Sequence, residues 1–394
     1  MLLACVSLLM GVTSCSQDEF ENYESEQQKK YSKAELIEQA LSRMPQTRAS
    51  GAAITMVTIK DSVSLRCLAT ENIVIDWGDF STDTIKKNTY RAHTHTYTDG
   101  YPSHPISLND VTGITIRDLR LNNNGLIDLR FINDIILKYL ICTTNYLDEI
   151  DFSTISGLIT LHVSNNELTS INLTNLSELG YLLADNNQLK AIDMSDSKNL
   201  VTIDISSNRV SELDLNRNTK LNYLNVAFNP ITELDLNRNV NLSSIDLEET
   251  PITTLNNVPI HKMSFANFPE LRHLNIAYTP FDSLDLSDNS FLSSINISGT
   301  DITQLDVSDL SIRNLSATRS KLTNLISGTP GLSNLYELRI ERTPFENDYD
   351  KMHKLVYTLL PSRSEDAPGH FYSYSSHINN FTSRLTGKYW LINQ

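Results

Sequence analysis

The stretch Leu158-Ile159-Thr160-Leu161-His162-Val163-Ser164-Asn165-Asn166-Glu167-Leu168 returns 21 residues later as Leu179-Gly180-Tyr181-Leu182-Leu183-Ala184-Asp185-Asn186-Asn187-Gln188-Leu189. Leu221-x-x-Leu224-x-Val226-x-x-Asn229-x-Ile231 carries the same frame. Asn124, Asn145, Asn166, Asn187, Asn208 and Asn229 therefore stand one every 21 residues, and Thr250 falls on the next beat. Apolar residues at alternate positions, such as Leu224 and Val226, face one side of a short strand. The asparagine then suits the turn that leaves the strand. A buried turn has backbone N–H and C=O groups without partners, and an amide side chain donates and accepts at once. One such coil cannot bury its apolar face alone, whereas a stack shares a continuous core with a column of asparagines inside it.

The second half of each unit, as in Ile231-x-x-Leu234-Asp235-Leu236, copies the strand signature of the first. With 21 residues divided between two strands and two turns, a helix of ordinary length has no room. From about residue 105 to 345 the frame resembles the bacterial leucine-rich repeats of the short, internalin-like class, whose convex side is extended. That resemblance implies a mainly β chain: a leucine-rich-repeat solenoid of about eleven coils, with a parallel sheet on each side. At about 4.8 Å per coil the arc is roughly 50 Å. The beat changes after Thr250 to Thr279, Thr300, Ser320 and Thr343, with 29 residues between Thr250 and Thr279. A hydroxyl offers fewer simultaneous bonds than an amide, so these turns need other partners. The long coil contains Val258-Pro259-Ile260 and Met263-x-Phe265-x-x-Phe268. It should bulge from the convex side or one edge, its apolar residues either packing back or offering a contact loop.

At the start, Leu2 to Val12 is a short apolar run, and Val12-Thr13-Ser14-Cys15 resembles a bacterial lipobox with Cys15 as the residue to be acylated. The run is too short to span a bilayer as a permanent helix. It lacks the Lys or Arg expected in a signal's first residues, as it would if the true start lay further upstream. Ser16-Gln17-Asp18-Glu19-Phe20-Glu21 resembles the surface-export tag of Bacteroidota lipoproteins, which implies an outer-membrane lipoprotein displayed on the cell surface. A net charge of −15 argues against nucleic acid and against a polybasic membrane patch. Beyond the lipobox, Cys67 and Cys142 read as buried free thiols.

Residues 16–50 are polar and read as a tether, with a short helix over Ala34 to Met44 carrying Leu36, Ile37, Ala40 and Leu41 on one face. From 51 to 104 the period becomes two, as in Val63-x-Leu65-x-Cys67 and Ile73-x-Ile75. Ile73-Val74-Ile75-Asp76-Trp77-Gly78-Asp79, with His95-Thr96-Tyr97 beyond it, resembles β-sandwich modules of the polycystic-kidney-disease type. Phe80 stands where that turn usually has glycine. A shortened sandwich acting as the N-terminal cap is implied, since an open first coil would expose core and strand edges. Residues 346–394 read as a short α and irregular closing cap. There Tyr349, Met352, Leu355, Val356 and Leu359 share a helix face stopped by Pro361, and Trp390 reads as core.

Catalytic signatures are missing: no phosphate loop, no Gly-x-Ser-x-Gly elbow, no His-Glu-x-x-His. Neither an enzyme nor a cofactor is expected. His93 and His95, with His104 nearby, have a spacing that zinc accepts, but the cap resemblance gives His95 a structural place. Asp151, Asp193, Asp214, Asp235, Asp285 and Asp306 should form an outward acidic column, solvated or bonded to turns; calcium is the alternative. On the concave strands Tyr139, Tyr181, Tyr223 and His273 share one slot, alternating with Thr160, Thr202 and Ser244, while Ile141, His162 and Leu183 fill the next. Exposed tyrosines among scattered apolar residues are typical of a recognition face. Plain cross-strand packing on a solvated sheet is the competing account. By analogy of fold, the expected partner is a protein, host proteins included, bound through this face as in adhesion. Glycan is the second reading, with these rings stacking on sugars. Membrane contact is expected through the lipid alone, and the chain is expected to be a monomer.

Overall fold

A computed structural model describes residues 31–44, 52–109, 115–132, 134–260, 264–328, 332–362, 368–373, 378–388 and 390–393. Cys15, the acidic run after it and Met263 lie outside the described residues. The chain forms a mainly β leucine-rich-repeat solenoid of about twelve turns. Its concave strands are three residues long and stay in step from coil to coil: Thr160, Tyr181, Thr202, Tyr223, Ser244, His273, Ser294, Asn314 and Glu337 are successive partners in parallel register. The middle residue of each strand, such as Leu161, Leu182, Ile203 and Leu224, points inward and is buried.

The asparagine column lies inside, as the frame predicts. The Asn187 Nδ2 donates to Val163 O at 3.0 Å and Ala184 O at 3.1 Å, and its Oδ1 accepts from Leu168 N–H at 3.0 Å, so one amide ties two coils. The hydroxyl coils are satisfied locally. Thr250 Oγ1 donates to Leu247 O at 2.6 Å and the Thr250 N–H donates to the same carbonyl at 3.1 Å. Thr300 repeats both bonds on Ile297 O, at 2.7 and 3.3 Å. A second buried column, Asn218, Asn239 and Asn289, has its Nδ2 atoms on carbonyls of the preceding coil, such as Met194 O for Asn218. It is written in Leu215-x-x-Asn218-x-x-Leu221 and its copies, a frame the strand-centred reading passes over.

The convex side differs from expectation. Among the described residues it carries no continuous second sheet, only short pieces such as Glu233–Leu234 beside Thr254–Leu255 and Gln304–Asp306 beside Asn324–Ile326. The aspartate column borders these pieces: Asp151, Asp193, Asp214, Asp235, Asp285 and Asp306 each accept from the N–H two residues on, at 2.8 to 3.1 Å, and are bonded to their own turns. The long coil packs back: Ile260, Phe265 and Phe268 are buried, and the Phe265 and Phe281 ring centroids lie 6.2 Å apart. Val258–Pro259 remains outside, paired antiparallel with Thr254–Leu255.

Both ends are closed by structure continuous with the concave sheet. Nine strands open the body: β1 (Ala52–Thr58), β2 (Ser62–Ala69), β3 (Ile73–Asp76), β4 (Thr82–Ile85), β5 (Ala92–Thr96), β6 (His104–Asn109), β7 (Thr115–Arg120), β8 (Leu126–Phe131) and β9 (Ile135–Ile141). A five-stranded sheet runs in the order β4-β3-β6-β1-β8, while β5-β2-β7 joins β9 and leads directly into the solenoid. β6, which begins at His104, and β8 thus complete the module's own sheet. Helix α1 (Lys33–Ser42) begins with a capping box between Ser32 and Glu35. It does not stand clear as a tether. Leu36 and Ala40 pack on Val57 and Ile127, and Lys33 Nζ lies 2.8 Å from Asp148 Oδ1. At the other end Gly369–Tyr372 and Trp390–Asn393 add two strands to the concave sheet, beyond the point where the repeat pattern dissolves. Trp390 is buried, with Nε1 donating to Pro361 O at 2.9 Å. A Cβ on Gly369 would stand 2.7 Å from its indole, so this close approach requires glycine.

Candidate recognition surface

The seven residues that the sequence singles out all lie on the outward side of the concave sheet. Tyr139 pairs with Thr160, then come Tyr181, Thr202, Tyr223, Ser244 and His273, so successive tyrosines are two coils, about 10 Å, apart. Tyr139 and His273 are exposed, while Tyr181 and Tyr223 are half-buried. Ile141, His162 and Leu183 form the adjoining column and are half-buried too. Burial pushes the His162 and His273 pKa values down, favouring neutral imidazoles. Burial, with Asp204 and Asp246 nearby, pushes the Tyr223 phenol up.

Beyond Leu183 the same column becomes a polar ladder that sequence reading missed: Asp204, Asn225, Asp246, Asn275 and Asn296. Each uses its Oδ1 to accept the N–H two residues on. The amides bind back along the ladder, Asn225 Nδ2 to Asp204 Oδ2 at 3.1 Å, and Asn275 Nδ2 to Asp246 Oδ2 at 3.1 Å and Glu248 Oε2 at 2.9 Å. Burial, then the Asp185 charge, raises the Asp204 pKa to about 6 despite those bonds. Burial also raises Asp246 and Glu248. The signal was present in Ile203-Asp204-Ile205, Leu224-Asn225-Val226 and Ile245-Asp246-Leu247. Toward the C-terminal end the face turns basic and aromatic. The Arg339 guanidinium sits 3.9 Å from the Tyr372 ring centroid, with Nε on Glu337 Oε1 at 2.5 Å. Ser294, Asn296, Asn314, Ser316, Glu337 and Arg339 line a shallow polar cleft of about 370 Å³ there.

A fourth feature runs along one edge of the face. The residue before each Asn or Thr of the buried column is left-handed, from Asn123 and Thr144 through Asn186, Phe228, Glu249 and Tyr278 to Arg342. That conformation turns its N–H along the stack to a carbonyl of the next coil, as in Asn186 to Ser206 O at 3.0 Å.

The histidines of the N-terminal module are held structurally. His95 Nε2 lies 2.7 Å from Asp79 Oδ2 and its ring stacks on Trp77 at 5.0 Å, while His93 Nδ1 contacts Asp83. Tyr97 stacks on His104 at 3.7 Å and donates its hydroxyl to Trp77 O at 2.8 Å. Among the described residues no group of three or more His, Cys, Asp or Glu is arranged to hold a metal ion. Cys67 and Cys142 are buried free thiols whose pKa values burial raises to about 12.

No protein-family model matches the chain, and no curated protein matches it. Several solved structures are similar in fold. InlJ of Listeria monocytogenes, whose functional domain includes a cysteine ladder, is 22% identical over 70% of this chain and 72% of its own, with a TM-score of 0.44. An internalin of the same organism, inlF, is 17% identical over 70% and 87%, with a TM-score of 0.47. For YopM of Yersinia enterocolitica the values are 20% over 65% and 57%, and 0.44, so the match spans little more than half of that protein.

Proposed function

We propose that this chain is a surface-anchored lipoprotein of the Bacteroidota type that binds a protein partner through its concave sheet. The observation that carries the reading is the in-register column of Tyr139, Tyr181, Tyr223 and His273 beside Ile141, His162 and Leu183. Backbone ladders on both sides hold these side chains on a rigid surface, so little ordering entropy opposes a contact. Cys15 is the anchor and no resident cofactor is invoked. The N-terminal module is read as a polycystic-kidney-disease-type sandwich that caps the first coil, supported by the Tyr97 bond to the Trp77 carbonyl. Glycan binding is the second reading, favoured by the alternation of ring and small hydroxyl residues along the slot.

The test captures partners with the full chain from host proteins and from a glycan array, then repeats the capture after replacing Tyr139, Tyr181 and Tyr223 together with Ser. Each aromatic anchor is worth roughly 1–2 kcal/mol in a favourable interface, so binding should weaken about a hundredfold or more while the circular-dichroism spectrum is kept. Undiminished capture would move the site off this column. A lost spectrum would make the rings part of the fold.

A further inference from the structure

The left-handed edge position favours Asn or Gly, because a bulky side chain there crowds its own backbone. Asn123, Asn165, Asn186 and Gly299 comply. Phe228 at φ 56° and Tyr278 at φ 55° do not, and neither is used as core: they are 44% and 42% exposed. The backbone bonds fix their order. Phe228 N–H reaches Glu248 O at 2.8 Å, Glu249 N–H reaches Ala277 O at 2.9 Å, and Tyr278 N–H reaches Ser298 O at 2.7 Å. Phe228, Glu249 and Tyr278 are thus successive rungs about 4.8 Å apart. Tyr278 is held down on glycine: a Cβ on Gly299 would stand 2.3 Å from its Cδ1. Glu248 and Asp246 stand beside this edge on the face, and among the described residues no basic side chain pairs with Asp246, Glu248 or Glu249.

We infer that Phe228, Glu249 and Tyr278 form a seat for a Lys or Arg side chain on an exposed segment of the partner protein. Glu249 stands on the middle rung with an exposed aromatic residue one rung to either side, and an aromatic face attracts a positive charge that its neighbouring carboxylate holds nearby. Glu249 and Glu248 supply the counter-charge, and the net charge of −15 steers basic segments toward the molecule. The inference rests on the reading that the chain binds protein, and moves the charged part of the contact from the tyrosine slot to the edge.

The test uses the full chain and a labelled decapeptide of Lys, Arg and Gly, at about 0.15 M salt to screen diffuse attraction. Replacing Phe228→Asn and Tyr278→Asn together leaves net charge unchanged and puts a residue suited to φ > 0 at both rungs. Peptide affinity should fall about tenfold while Tm holds or rises. Unchanged affinity in the double variant would overturn the seat, since binding would then follow net charge alone. A fall in Tm, failure of the unaltered chain to bind the peptide, or loss of neutral-glycan binding in place of peptide binding would do the same. Capture of a protein that the tyrosine triple variant loses and this double variant keeps sinks the seat and leaves the protein-binding reading standing. Capture of glycans alone, with no protein, sinks that reading itself.

Discussion

Asn187 shows how unevenly one amide is needed. Its Nδ2 donates to three carbonyls, but Val163 O also accepts from Asn166 Nδ2 at 3.0 Å and Ala184 O from Asn208 Nδ2 at 2.9 Å. Its Oδ1 bond from Leu168 N–H at 3.0 Å has no such duplicate. Asn187→Ala should therefore leave one buried N–H without a partner and cost on the order of 1 to 3 kcal/mol, read as a lower denaturant midpoint at unchanged m. An unchanged midpoint would show that water or a shifted backbone replaces the amide. Phe80 is the opposite case. It is left-handed at φ 70° and 85% exposed, at the turn position where glycine is usual. Its departure from the module's pattern is legible in the sequence as a misfit, but the backbone angle that makes it one is not.

At the scale of the strand, the concave and convex sides use one device with opposite electrostatic results. Both rows of carboxylates accept the N–H two residues on. On the exposed convex side those bonds hold Asp151, Asp193 and Asp285 below the usual carboxylate range. On the concave side burial outweighs them, and Asp204 rises to about 6. A carboxyl whose folded pKa lies above its unfolded value of about 4 makes the native state bind protons more strongly between about pH 4 and 6, so stability falls as pH rises through that window. Asp204→Asn should then stabilise the chain by about 1 kcal/mol at pH 7, with the gain fading to nothing below about pH 4. The convex carboxylates act in the other sense, their contribution being lost as pH falls below about 4. A gain that persists at pH 3 would assign the effect to packing. The inward frame was legible because leucine spacing and asparagine beat are both carried by residue type. What escaped it follows a different logic. The short convex pieces are set by backbone pairing that no residue type announces, and the two C-terminal strands extend the sheet by register, Gly369–Tyr372 on Glu337–Arg339 and Trp390–Asn393 on Gly369–Tyr372, without the repeat's leucines. The Asp–Asn ladder was written in plain view, in slots where aromatic residues drew the reading.

For the whole molecule, the open question is how it is held and which way it faces. Among the described residues no helix is long and apolar enough to cross a membrane, and the apolar run Leu2 to Val12 is too short to be a permanent span. The proposed anchoring through Cys15 would then rest on a single lipid site. Helix α1 docks on the N-terminal sandwich, with Lys33 tied to Asp148. On the proposed Cys15 anchor, the segment from Cys15 to Tyr31 could span no more than about 55 Å even at full extension. Across so short a span, the N-terminal module should sit nearest the membrane and the C-terminal coils farthest out. Cys15→Ala should move the protein from the membrane fraction to the soluble one without changing Tm. In intact cells carrying the unaltered chain, protease should cut sites in the C-terminal coils before those in residues 52–109. Retention of the Cys15→Ala variant in membranes would overturn the anchor. Protection of the whole chain until the membrane is ruptured would place it on the inner face.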